Sequence, residues 1–200
     1  VKPDSMVTVW NVGIIQRAVL VVTFLLTVLV PMQYAVLVGV GLSIVLHVVR
    51  QSTQVTIRRQ MIDSDGHLVE TEPPVLLPPN EVVILQPYGS LFFAAAPVVD
   101  TMLPDPGPDT TASVVIIRLR GRTDLGTTFM DVLHRYATSL AAADSKLVLA
   151  SVSDRVLEQL RVAGVTDVID ADDLYLGDER VGATLRRAHD DALAWVDARR

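Results

Sequence analysis

Between Arg118 and Leu133 the sequence reads RLRGRTDLGTTFMDVL. The apolar run VVIIRL stops at Gly121, a short polar loop follows, and a helix then starts. A strand–loop–helix junction of this kind can do three things. The free amides at the start of a helix can hold a phosphate. A loop hydroxyl, here that of Thr127 or Thr128, can accept a phosphoryl group and switch the surface. The polar residues can also serve the helix itself. Thr128-x-x-Asp131 is close to a capping box, with a hydroxyl for the N3 amide and an acidic side chain reaching back. Asp131 also complements the helix dipole. Capping accounts for the Thr and the Asp without any ligand. A nucleotide site has the least support, because the loop has no glycine-rich cradle and only Arg120 and Arg122 as nearby bases.

The other chemically capable residues are scattered. None of His47, His67, His134 and His189 has a metal-ligand partner at helical spacing, apart from carboxylates on solvated faces. The cluster DADD at 170–173 is acidic enough to draw a cation, but hard-cation sites need six or more oxygens in defined spacing, so an exposed acidic loop is the plainer reading. Nucleotide-loop, nucleophile-elbow, metalloprotease and EF-hand patterns are all missing. The absence of Cys rules out a disulfide framework and thiolate chemistry and fits a reducing compartment. The expectation is a protein that is not an enzyme and uses no cofactor or metal.

The elements that must position these residues fall into two parts. The 200 residues carry a net charge of −6 and a mean hydropathy of +0.40, high for a water-soluble chain. In residues 1–50, Lys2, Arg17 and Arg50 against Asp4 sum to +2, leaving −8 for the other 150. An acidic globular part with no Lys/Arg tract excludes nucleic acid as a partner.

No charged residue occurs from Ala18 to Leu46. One straight helix of that length would be about 44 Å long, against a hydrocarbon core of about 30 Å. Pro31-Met32-Gln33 interrupts it, so two short transmembrane helices are expected, about Gly13–Val30 and Gln33–Val49. They are apolar all round, not amphipathic. Lys2 and Arg17 before them and Arg50, Arg58 and Arg59 after them place both ends on the cytoplasmic side. Gly39 and Gly41 allow a neighbouring helix to approach closely. The run is too long for a signal peptide and lacks a small-residue exit. The opening Val fits an excerpt from a longer protein.

The rest alternates in type. QVTIRRQMIDSDGHLVETE reads as extended, with Val55, Ile57 and Met61 on one face and a hairpin turn at Asp65-Gly66. His67 sits beside that turn, solvated. PPVLLPPNE is a connector into a compact domain. EVVILQPYGSLFFAAA is a strand with a bend at Pro87-Tyr88-Gly89, and AAPVVDTMLPD is a short helix. SVVIIRLRG and KLVLASVS are strands. Between those two strands, Phe129, Val132, Leu133, Tyr136, Ala137 and Leu140 line one face of a helix. Ser153 caps a helix over Asp154–Ala163 that Gly164 ends, and VTDVIDADDLYL carries a short strand. Val181, Leu185, Ala188, Ala192 and Val196 line the last helix. Strand–helix alternation implies an α/β sheet with right-handed crossovers. The domains are therefore 1–52, a helical hairpin; 53–80, an extended linker or β-hairpin; and 81–200, the α/β domain.

This order of parts resembles the C-terminal end of the SulP (SLC26-like) anion permeases over nearly the whole chain. The apolar stretch IIQRAVLVVTFLLTVLVPMQYAVLVGVGLSIVLHVVRQS is similar to their last two membrane helices. LQPYGSLFFAAA and VVIIRLRGRTDLGTTFMDVL are similar to their cytoplasmic STAS domain, a fold shared with anti-sigma-factor antagonists. The resemblance implies secondary anion transport, with sulfate as the common substrate, by a multi-pass protein of the cell (inner) membrane. The implied partners are membrane lipid, the rest of the permease, a second copy in a homodimer and regulatory proteins at the STAS surface. The family's anion site lies on earlier helices, so no substrate residue is assigned here. The STAS loop commonly reads Asp-Ser-(Ser/Thr)-(Gly/Ala), with the Ser phosphorylated in the anti-sigma relatives. Asp124 matches the Asp, Leu125 stands where the Ser would be, and Gly126, Thr127 and Thr128 follow. The phospho-acceptor is missing from its usual place, which favours a contact surface. The alternative is a freestanding, membrane-anchored STAS regulator.

Overall fold

The β-branched run Val114–Arg118 is the centre of a six-stranded sheet. The computed structural model describes residues 14–29, 32–52, 55–62, 68–89, 91 and 96–200. Two units result, Val1–Gln51 and Ser52–Arg200.

The first unit holds α1 (Ile14–Leu29) and α2 (Met32–Ser52). No described side chain in either helix is buried, and Phe24, Leu37 and Ile44 stand among the exposed apolar groups. Two helices are where two were expected. Met32 and Gln33 belong to α2 itself, while Pro31 and Lys2 lie outside the described residues. Among the described residues no helix is long and apolar enough to cross a membrane. At 16 residues, α1 is about 24 Å long, and α2 carries Gln33 near one end and His47, Arg50 and Gln51 near the other. The fold therefore shows the two helices and not a membrane crossing.

The second unit is an α/β domain. Its elements are β1 (Thr56–Ile62), β2 (Leu68–Thr71), β3 (Val82–Tyr88), α3 (Ala96–Met102), β4 (Val114–Arg118), α4 (Thr127–Ala142), β5 (Lys146–Val152), α5 (Asp154–Val162), β6 (Leu174–Leu176) and α6 (Ala183–Asp197). The strand order is β2-β1-β3-β4-β5-β6. β3 to β6 are parallel, and β1 and β2 are antiparallel additions at one side, so the sheet is mixed. Residues 53–80, expected as an extended linker or β-hairpin, hold β1 and β2, an antiparallel pair that belongs to the domain's own sheet. Sequence alternation marks extended backbone but cannot say whether the strands join a sheet or stand alone. The turn residues Asp65 and Gly66 and the neighbouring His67 lie outside the described residues.

Each crossover steps one strand further in the same direction. Right-handed connections then put α3, α4 and α5 on one face, where Val83, Leu85, Ile117, Leu149, Phe129 and Leu160 form the larger core. α6 covers the other face with Leu185, Ala188, Ala192 and Val196 against Ile84, Ile116 and Val148. Three details differ from the sequence reading. Met61 is 44% exposed because it sits near the end of β1, past the core helices. Val181 is 77% exposed because α6 begins only at Ala183. Pro87 lies within β3, and the chain turns at Gly89, where φ is +84°.

Candidate functional site

The junction after β4 is built by side chains that bind its backbone. Leu119 continues the strand, donating its N–H to Ala150 O at 2.8 Å, and its side chain is fully buried. Gly121, at φ +76°, then reverses the chain, a conformation that strains any residue with a Cβ. Arg122 donates to the carbonyls of Gly89 and, at 2.8 Å, Pro87, tying the loop to the end of β3. Burial pushes its pKa down, and it meets carbonyls only, so it acts as a staple. Ser153 Oγ donates to Arg122 O at 3.1 Å and accepts from Val156 N–H at 3.4 Å. The predicted α5 cap therefore also holds the loop.

Gln159, on α5, fixes the next residues. It accepts from Leu125 N–H at 3.0 Å through Oε1 and donates to Asp124 Oδ1 through Nε2. Arg155 approaches the other Asp124 oxygen at 3.4 Å. Leu125, at the position of the family's switch Ser, is only 3% exposed and packs into the larger core. It anchors the loop. Gly126 donates to Leu91 O at 3.2 Å and is the helix N-cap, with φ −67° and ψ 146°. No side chain caps α4, and Asp131 falls outside its first turn. This corrects the capping-box expectation: the helix begins at Thr127, so Thr128 lies inside it. Thr127 is exposed and Thr128 half-buried.

Between the start of α4 and α5 lies an open groove of about 900 Å³, lined among others by Thr127, Met130, Asp131, Glu158, Gln159 and Val162. Val162 is 81% exposed, a β-branched side chain presented to solvent at the groove. Of the five loop residues singled out in the sequence, Asp124, Leu125, Gly126 and Thr127 line the groove, while Thr128, the second residue of α4, does not. Gln159 and Arg155 carry no local sequence signal, because what marks them is contact across about 30 residues of chain.

The remaining candidates do not join this site. His47 is on α2, His134 on α4, and His189 on α6 faces Asp190 at 3.8 Å. Among the described residues no three His, Asp or Glu side chains are grouped to hold a metal. The acidic cluster is not uniformly exposed: Asp173 is buried and pairs with Lys146 at 2.5 Å. Burial holds its pKa above the ordinary aspartate value, opposed by the hydrogen bond and charge of Lys146.

The profile of the STAS domain matches residues 74–188. No curated protein matches the chain in sequence. Among solved structures, SLC26A9 superposes with a TM-score of 0.62 at 15% identity, covering 96% of this chain and 32% of that one. The murine Slc26a9 anion transporter in its inward-facing state gives 0.58 at 18% identity, covering 92% and 30%. A sulfate transporter family protein from Wolinella succinogenes gives 0.49 at 20% identity, covering 68% and 97%. The chain spans about a third of the length of the first two.

Proposed function

Because the chain belongs to the STAS-domain family, we propose that it is the C-terminal portion of a SulP-type secondary anion transporter, with sulfate as the expected substrate. In this reading α1 and α2 belong to the membrane part and the α/β domain is its cytoplasmic regulatory and oligomer-forming part. The observation that carries the reading is the first unit: two apolar helices in which no described side chain is buried, ahead of a STAS domain in the sequence. Helices of this kind need an apolar partner outside the chain, and neighbouring helices of a transporter with short, discontinuous spans would supply it. The likeness to SLC26A9 supports the same order of parts. The groove beside Leu125 is the proposed contact surface for a regulatory protein or a second copy. The chain acts through binding, without catalysis or a cofactor.

The test has two steps. The reading frame upstream of Val1 is expected to encode about a dozen further apolar segments, by the architecture of the transporter class. The full-length protein, reconstituted in vesicles, is then assayed for sulfate flux with competing anions. A start codon directly before Val1, or vesicles that move no anion, would sink the transporter reading.

A further inference from the structure

The groove between α4 and α5 combines an apolar floor with an acidic rim. Leu125 and Met130, both almost fully buried, lie beneath it, and Val162 and Ala163 stand open to solvent at one side. Of the charged groups that line it, three are carboxylates, Asp124, Asp131 and Glu158, and one is a cation, Arg155. Arg155 lies 3.4 Å from Asp124. Glu158 pairs along its own helix with Arg161 at 2.9 Å, both side chains being exposed. Asp131, exposed on α4, has no ion-pair partner among the described residues.

The walls decide the shape of the occupant. Both are helices, whose backbone N–H and C=O groups are paired within the helix. An extended peptide laid between them would find no strand edge and would leave its own backbone groups unmet. A helix carries its hydrogen bonds with it and presents apolar side chains at i, i+3 and i+4. The rim calls for bases beside that apolar face. A second copy of the α/β domain does not supply them, because none of the helices α3 to α6 carries a net positive charge.

Given that the groove is a contact surface, the reading on which this rests, we infer that it docks a basic amphipathic helix of another protein. Val162 seats against the apolar face of that helix, and Asp131 and Glu158 stand beside its Lys or Arg side chains.

The probe is a fluorescent peptide of about 18 residues, built of Leu and Lys in an amphipathic helical pattern. It is mixed with the 200-residue chain in nonionic detergent, and binding is followed by anisotropy. A twin peptide carries Glu in place of Lys. Saturable binding of the Lys peptide is expected, weakened about tenfold by Val162→Asn, which removes an apolar contact at an exposed position. Asp131→Lys weakens the Lys peptide about threefold and strengthens the Glu twin. Raised salt weakens the Lys peptide on the unaltered chain. Val181→Asn, also exposed but ahead of α6 and outside the groove, changes nothing. Partition of a peptide into detergent is the same in every variant and cancels. Binding of the Lys peptide that is indifferent to Val162→Asn and Asp131→Lys overturns the inference. A preference for the Glu twin that Val162→Asn abolishes overturns the basic partner and leaves the contact surface standing. So does a failure of both peptides together with a dimer, seen by sedimentation, that Val162→Asn dissociates; the occupant is then a second copy. Failure of both peptides with no such dimer overturns the inference and the contact-surface reading together.

Discussion

At the scale of single residues, the loop is held by its backbone and only anchored by its switch position. Gln159 reads the Leu125 amide and the Asp124 carboxylate together. Gln159→Leu leaves the Leu125 N–H without its partner and is expected to cost about 1–3 kcal/mol, read from chemical denaturation. Leu125→Ser restores the family's residue type but removes buried apolar volume, so a loss of about 2–5 kcal/mol is expected. Because that side chain points into the core, the new hydroxyl stays unphosphorylated in native protein treated with kinase, as read by intact mass; added phosphate on Ser at this position would refute the assignment. The sequence shows that position 125 is not a Ser. It cannot show that the Leu is buried, since burial depends on α5 folding back over the loop. The same distance hides Lys146 from Asp173. Lys146→Met strips a buried carboxylate of its cation and should cost about 3 kcal/mol at neutral pH. The sign of the pH effect follows from the raised pKa of Asp173. Its protonated form is favoured in the folded state, so the deficit shrinks as pH falls through that pKa. A deficit that grows on acidification would refute the assignment.

At the scale of elements, what was legible was whatever repeats within one segment. The face of α4 from Phe129 to Leu140 is buried as its periodicity requires, and Ser153 caps α5. Ser153→Ala is expected to cost about 1 kcal/mol as a cap, and somewhat more because Arg122 O also loses its donor; urea unfolding measures it. What was illegible depended on neighbours. The capping box at Thr128 failed because Gly126, already extended and hydrogen-bonded to Leu91, starts the helix earlier. That the β1–β2 pair joins the domain's sheet at β3 was not legible, because alternation cannot identify which strand will lie beside it.

At the scale of the whole molecule, the two units differ in kind. One exposes its apolar side chains and the other buries them. Deleting residues 1–51 should therefore leave the α/β domain folded and soluble without detergent, with its unfolding midpoint unchanged within a few degrees. A collapse of its cooperative transition would show that the helices are part of its core. Charge patterning and hydropathy made this division visible in the sequence. The layer assignment needed topology: only the strand order shows that three crossover helices share one face.

That asymmetry bears on how the protein is made. The larger core is assembled from segments that leave the ribosome in succession, each helix following the strand it covers. The opposite face has no such local partner. Ile84, Ile116 and Val148 stay uncovered until α6 has been synthesised, and at about 5–20 residues per second the interval from Val148 to Val196 lasts seconds. Completion of the sheet's second face is tied to α6, and during that interval the nascent chain offers chaperones a half-finished sheet.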